Sequence, residues 1–468
     1  MTNEKVRILH TNDLHSQLDN WPAVTKLLKE KKQHALSHNE HVLLFDIGDH
    51  CDKVHPMTEA LAGKGNVELL NNMEYDGVTI GNNEGITLSK EQLDHLYDEA
   101  EFPVILSNLI HEDGSYPEWT VPHKVFTLPS GVSIGVTGVT VSFPLFYKTL
   151  GWRVTDPFAA LKRTVARLSG KVDAIICLSH LGLKEDEKLA NEVFGIDVIL
   201  GAHTHHVLER GKKVNNTWIN QAGRSGTYIG DVQLSFKECN KGAFSLSINH
   251  VQSIKVNLNE RDEETEKLLS NLAKQADNIL KEPVTHLAEP LEVQWYQHSD
   301  FPKLLAETLR EWCHADLAMV NSGVLLKSLE VGPVTLGDLH ECCPHPINPA
   351  NVVISGENLI NILHAAQEES MIHFALKGFG FRGKVLGYMM FDNLKIAKDA
   401  PALNEKSIFI GNKPLQRDCN YTLATVDMFT LGQLYPAIST STKIDYFMPE
   451  FLRDLLAWKL RTFKTPSR

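Results

Sequence analysis

Residues 42–49 read "VLLFDIGD": four apolar side chains, then an aspartate, and a turn at Gly48 that ends on Asp49. A short, continuously apolar run of this kind, closed by turn chemistry, is the pattern of a strand buried on both faces. The pattern recurs on either side of it. "VRILHTND" (6–13), "GVTIGN" (77–82), "PVILSN" (103–108), "VDAIICLSH" (172–180) and "DVILGAH" (197–203) read as further strands. Helix signals alternate with them. Asn20 stands where it would cap a helix, with Pro22 in the first turn of "AVTKLLKEKKQHAL". "SKEQ" (89–92) has capping-box spacing and opens a helix toward Ala100, and Asp156-Pro157 starts another. "VFTLPSGVSIGVTGVT" reads as a hairpin turning at Pro129-Ser130-Gly131, and segments between 215 and 256 add antiparallel strands. Such alternation predicts an α/β first half, a sheet covered by helices.

Beyond residue 260 the pattern changes. "RDEETEKLLSNLAKQADNILKE" (261–282) is polar and periodic, and predicts a solvent-facing helix at a domain junction. A mixed α+β half follows. The expected division is a domain over 1–260, a linker helix over 261–289, and a second domain over 290–468.

A chain of 468 residues is long for one core, which agrees with two domains. Apolar residues make up 43% and charged residues 22%, ordinary for a soluble globular protein. The excess of 58 acidic over 46 basic residues leaves a net charge of −12, which argues against nucleic-acid binding. No run of 18 apolar residues suggests a membrane span. The N-terminal residues pass directly into a strand pattern without a signal-peptide profile, so a cytoplasmic location is expected. Seven scattered cysteines without a CxxC fit reduced thiols, with Cys342 and Cys343 packed in a core.

The ends of the predicted strands hold the chemistry. "HTNDLH" supplies Asp13 and His15, "DIGDH" Asp49, "IGNNE" Asn82, "CLSHLG" His180, and "GAHTHH" His203 and His205. Alone, each is an ordinary cap, turn or loop. In open α/β sheets, however, ligands bind beyond the carboxyl ends of strands, where all of these could converge. Seven nitrogen and oxygen ligands with one shared carboxylate would suit two divalent ions.

This set of motifs resembles the calcineurin-like metallophosphoesterases, and within them the 5'-nucleotidase family. "NSGVLL" (321–326), "GPVTLGDLHECCP" (332–344) and "VVISGENLINIL" (352–363) extend the resemblance into the second half. It implies a four-layer α/β/β/α domain followed by an α+β substrate-binding domain. It also implies one ion held by Asp13, His15 and His205, a second by Asn82, His180 and His203, and Asp49 between them. Mn²⁺, Zn²⁺, Fe²⁺ or Co²⁺ could serve. The implied activity is hydrolysis of a small phosphorylated substrate, of the nucleotide or nucleotide-sugar type, by in-line attack of metal-bound hydroxide. The corresponding process would be nucleotide catabolism.

The sequence also departs from the family. Where the family has Asn-His-Glu, with an aspartate three residues after the histidine, this chain has Asn82-Asn83-Glu84 and Ile86. The histidine that assists the leaving group and the aspartate that orients it are both missing, and Glu84 reads as structural. His55 and His206 are the first substitutes for the missing acid, ahead of His50 and Asp52. An arginine expected after the Asn-x-Gly motif is replaced near Leu326. "DMFTLGQLYP" (427–436) lacks the family's glycine cluster but keeps Phe429 and Tyr435, which could sandwich a base or pack in the core. Arg382, in "GFGFRG" (378–383), could bind phosphate or lie in an ordinary turn. These departures keep open a phosphodiesterase or phosphatase for a non-nucleotide substrate, and a metal-stabilised binding protein that has lost catalysis.

Overall fold

A computed structural model describes residues 3–240, 243–378, 380–397 and 403–463. Phe379 of the "GFGFRG" stretch lies outside the described residues. The chain divides into two compact units, Met1–Ala276 and Asp277–Arg468.

Strands of the first unit are, in chain order, β1 (Asn3–Thr11), β2 (His41–Asp46), β3 (Gly77–Val78), β4 (Val104–Ile105), β5 (Leu109–Ile110), β6 (Thr120–Val121), β7 (His123–Thr127) and β8 (Ser133–Thr140). Then come β9 (Arg153–Val154), β10 (Ala174–His180), β11 (Val198–Gly201), β12 (Lys212–Val214), β13 (Thr217–Gln221), β14 (Tyr228–Asn240) and β15 (Ala243–Lys255). Its helices are α1 (Trp21–Ser37), α2 (Pro56–Ala60), α3 (Lys64–Asn72), α4 (Asn82–Thr87), α5 (Lys90–Asp94), α6 (Pro144–Thr149), α7 (Pro157–Leu168) and α8 (Leu183–Glu192), and α9 (Glu263–Leu280) carries the chain across the division after Ala276.

Two main sheets form, ordered β15-β14-β1-β2-β3-β4-β6 and β12-β13-β11-β10-β8-β7. Strand β10 shows how they are layered. Every residue of "AIICLSH" is buried, as a strand covered on both faces requires. Its alternate side chains go to different cores. Ile176 and Leu178 join Val6, Ile8, Phe45 and Val232 of the other sheet, while Ile175 and Cys177 meet Leu161 and Val165 of α7 and Leu189 of α8. The two sheets therefore pack face to face with helices outside, the four-layer arrangement. Strands β1, β2, β3, β4 and β6 run parallel, as do β8, β10, β11 and β13, so the carboxyl ends within each sheet gather along one edge.

Local expectations were corrected in places. Asn20 holds the N-cap position of α1 but makes no side-chain capping bond; its amide donates to the Ser225 carbonyl at 2.8 Å. Strand β3 stops at Val78, because Gly81 already serves as the N-cap of α4. The capping box of Ser89 and Gln92 forms, yet α5 ends at Asp94 rather than near Ala100. Between 215 and 256, β14 and β15 are antiparallel neighbours, while β13 pairs antiparallel with β12 and parallel with β11.

In the second unit a five-stranded sheet is ordered Met389–Asp392, Leu317–Asn321, Asn420–Val426, Pro349–Ser355, Ile444–Tyr446. Its core includes Phe429, Tyr435 and both Cys342 and Cys343, which are fully buried thiols without a disulfide.

Candidate metal centre

Each strand that ends at the gathered edge hands over its polar residues within a few positions. Asp13 and His15 follow β1, Asp49 follows β2, Asn82 opens α4 after β3, His180 is the last residue of β10, and His203 and His205 follow β11. Their backbone is unusual. Asp13, His15, Asp49, His203 and His205, five of the seven, have φ between 49° and 74°. Left-handed backbone costs a non-glycine residue about 1–2 kcal/mol, less for Asp, Asn and His, so the surrounding structure has to hold it.

Interlocking loops do so. Asp13 N–H donates to the Gly48 carbonyl at 3.0 Å, and His15 N–H to that of Asp49 at 2.8 Å. The buried Glu84 carboxylate accepts from the N–H groups of Asp49 (3.0 Å), Cys51 (2.8 Å) and Gly81 (2.9 Å), binding the loops after β2 and β3 together. These loops touch so closely that a Cβ on Gly48 would lie 2.2 Å from Gly81 N, and one on Gly81 would lie 2.1 Å from Asp49 Oδ1. Glycine is required at both.

The ligand atoms fall into two groups. One comprises Asp13, His15 and His205; the other, Asp49, His180 and His203; within each, the donor atoms lie within 4.8 Å of one another. The groups adjoin. Asp49 Oδ2 is 3.4 Å from His180 Nε2 and 3.7 Å from His15 Nε2, and so reaches a member of each. His15 Nε2 and His205 Nε2 face each other at 3.1 Å.

The donor set fits divalent ions. His180 Nδ1 donates to the Ile47 carbonyl at 2.7 Å, which aims Nε2 at the cluster, where it would offer a lone pair once its proton is displaced. That Nε2 is buried without a hydrogen-bond partner among the described residues, and so is the Asn82 Oδ1. A buried acceptor left unpaired costs about 1–3 kcal/mol, which a cation at this place would recover. Burial alone would push the His180 imidazole down, but the Asp49 carboxylate overrides it and raises it to about 10. Burial, joined by the charge of His180, pushes His203 down to about 4. A metal held at His180 Nε2 would displace the proton that Asp49 favours there.

Asn83 lies in the frame of this cluster. Its N–H donates to Asp49 Oδ1 at 2.7 Å, and its amide nitrogen stands 2.9 Å from His15 Nδ1 and 3.0 Å from the Cys51 carbonyl. It orients, and it has no proton to give. Of the substitutes, His55 caps α2, with Nδ1 accepting from Met57 N–H at 3.2 Å. His206 is exposed and pairs with Thr204 Oγ1 at 2.9 Å. Neither is among the clustered donor atoms. His50 is buried edge-on against Trp21, with burial pushing its imidazole down to about 3.

Two further residues stand against the candidate ligands. Asp52, buried, sets Oδ2 3.4 Å from His15 Nδ1, opposite the nitrogen that faces the cluster. Phe143, just before α6, brings its ring within 6.4 Å of the His203 ring.

The second unit does not gather its candidates. Phe429 and Tyr435 are 0% and 2% exposed and meet edge to face, with centroids 5.1 Å apart. No open face is left for a base, so the sandwich reading gives way to core packing. Arg382 is exposed, with its N–H donating to His345 Nδ1 at 2.9 Å. Leu326 N–H donates to the Cys342 carbonyl at 2.8 Å.

Comparison with known proteins agrees with this anatomy. The calcineurin-like phosphoesterase family matches residues 6–207, and the 5'-nucleotidase C-terminal domain matches residues 283–438. The metallophosphoesterase YunD of Bacillus subtilis is 44% identical over 98% of this chain and 99% of its own length. Among solved structures, the NAD nucleotidase NadN of Haemophilus influenzae superposes with a TM-score of 0.65 at 16% identity, covering 98% of this chain and 96% of that one. A 5'-nucleotidase precursor of Thermus thermophilus gives 0.59 at 18% identity, covering 99% and 97%. At such identities the structural likeness speaks for the fold. The chain belongs to the calcineurin-like metallophosphoesterases, as a metal-dependent phosphohydrolase with a 5'-nucleotidase-type C-terminal domain.

Proposed function

We propose that this enzyme hydrolyses phosphoanhydrides of nucleotide type, such as nucleotide sugars or dinucleotides, in preference to simple nucleoside monophosphates. In this reading Asp13, His15 and His205 hold one divalent ion, Asn82, His180 and His203 the other, and Asp49 joins both. Two such ions would lower the pKa of a water between them and offset charge on the phosphoryl oxygens.

The observation that carries the preference is Asn83. Its backbone N–H is committed to Asp49 and its side-chain amide to His15 and Cys51, so the position that bears the family's acid contributes orientation and no proton. Losing a general acid typically costs about 10²–10⁴-fold when the leaving group needs a proton. An alkoxide leaving from a monoester needs one; a phosphate leaving from an anhydride is a weak base and does not. The name of the structural neighbour NadN, an NAD nucleotidase, supports including a dinucleotide among the candidates.

A second reading keeps the metals and changes the substrate, to a phosphodiester or a non-nucleotide phosphoester. Leu326 in place of arginine and the burial of Phe429 and Tyr435 favour it.

The test compares hydrolysis of AMP, UDP-glucose and NAD in added Mn²⁺ and in chelator, with Asp49→Asn as the blank. Faster metal-dependent cleavage of UDP-glucose or NAD is expected. Efficient AMP cleavage would sink the leaving-group argument and turn attention to His55 and His206. Metal-dependent cleavage of bis-p-nitrophenyl phosphate alone would move the assignment to the second reading.

A further inference from the structure

Helix α6 flanks the metal cluster. Phe143 at its N-cap approaches His203, and Tyr147 packs on Gly85 of α4, where an added Cβ would lie 2.1 Å from the Tyr147 hydroxyl. On α6 and the strand after it, a cavity of about 430 Å³ is lined by Glu112, Pro144, Lys148, Trp152, Arg153 and Val154.

The charge of this cavity points to an anion. Lys148 and Arg153 both line it, and neither has an ion-pair partner among the described residues. Trp152 forms a fixed wall, 1% exposed, stacked on His111 at 5.1 Å and with the Lys90 ammonium 3.8 Å from its ring centroid. An ammonium and a guanidinium together suit phosphate oxygens, the guanidinium by paired N–H bonds. Glu112 is the one acid in the lining, and it opposes that charge.

We propose that this cavity is an anion subsite that takes a phosphate-type group beside the metal cluster. The occupant is either a second phosphate of the substrate or free inorganic phosphate. The binding claim does not depend on which phosphoester the enzyme cleaves.

Calorimetric titration of the metal-loaded full-length protein with inorganic phosphate tests it. Two bound phosphates per chain are expected, one at the metals and one in the cavity. Metal-stripped full-length protein should keep only the cavity phosphate. Lys148→Glu with Arg153→Glu should abolish that event or weaken it about tenfold or more, the scale of lost charged hydrogen bonds. Glu112→Gln should tighten it, an outcome that misfolding cannot mimic. If the double variant also raises KM for UDP-glucose without changing kcat on bis-p-nitrophenyl phosphate, the occupant is the substrate's second phosphate. If KM stays while phosphate stoichiometry falls from two to one, the occupant is free phosphate. A single phosphate on the metal-loaded wild type, none on the stripped protein, or unchanged binding in the double variant would overturn the proposal.

Discussion

The strand ends of the first unit and the aromatic segment of the second treat their polar and aromatic groups in opposite ways. Around the metal centre, five candidate ligands hold left-handed backbone, and the acceptors Asn82 Oδ1 and His180 Nε2 are buried without partners among the described residues. In the second unit the only described non-glycine residues with positive φ are His314 and Asn393, neither of them a candidate site residue. Phe429 and Tyr435 close on one another inside the core. The first region stores backbone strain at its candidate ligands; the second, where the Tyr435 hydroxyl and Asp427 Oδ1 are also buried without partners among the described residues, has spent its aromatic surface on folding.

The largest expected effect would come from breaking the first side of this contrast. Asp49 touches both groups of ligands, so Asp49→Asn should lower kcat/KM by about 10³-fold, since an ion's stabilisation of phosphoryl charge is worth several kcal/mol. Metal content by elemental analysis should fall with it. A variant that keeps two ions and full turnover would remove Asp49 from the joining position.

Next in size is the second side. Phe429→Ala should destabilise the second unit by about 3–5 kcal/mol, the usual cost of emptying a buried phenylalanine site. A milder Phe429→Leu should leave KM for nucleotide substrates unchanged once the protein is folded. A raised KM in a well-folded Phe429→Leu would show that the ring meets substrate after all.

These two regions also differ in how far the sequence exposes them. The candidate ligands could be read because five such pieces recur in order, each where an apolar run ends, although any one alone is an ordinary cap, turn or loop. Strand β10 is the plain case, apolar throughout until Ser179 and His180. Which way a ring faces is set by packing partners distant in sequence. Spacing alone therefore could not tell a base sandwich from the edge-to-face contact of Phe429 with Tyr435. The positive φ values were hidden too, because Asp and His are ordinary loop residues. Asp52 was visible in "GDHCD" only as another acid, and its relation to His15 needed the fold.

That relation gives a smaller prediction. A carboxylate against the far nitrogen of a ligating imidazole fixes its orientation, and losing such a partner typically costs about 10–100-fold in metal affinity. Asp52→Asn should weaken the ion at His15, seen as a higher Mn²⁺ requirement with kcat restored at saturating metal. Unaltered metal dependence would reduce Asp52 to packing.

The smallest effect tests the second unit as a folded body. His345 is buried against Phe381, with ring centroids 5.3 Å apart, and Nε2 lies 2.8 Å from the Val324 carbonyl. Burial pushes its imidazole from 6.5 down to about 3. Below pH 6.5 the unfolded chain binds a proton that the folded chain refuses, so the stabilisation is fully present above 6.5 and is lost as pH falls toward 3. The slope from one such group is at most about 1.4 kcal/mol per pH unit. Thermal unfolding of the second unit's transition at about pH 7.5 and about pH 5.5 should show a loss that His345→Gln partly removes. If wild type and variant lose the same stability, the acid sensitivity lies elsewhere, and the second unit's polar interior holds another group that titrates on unfolding.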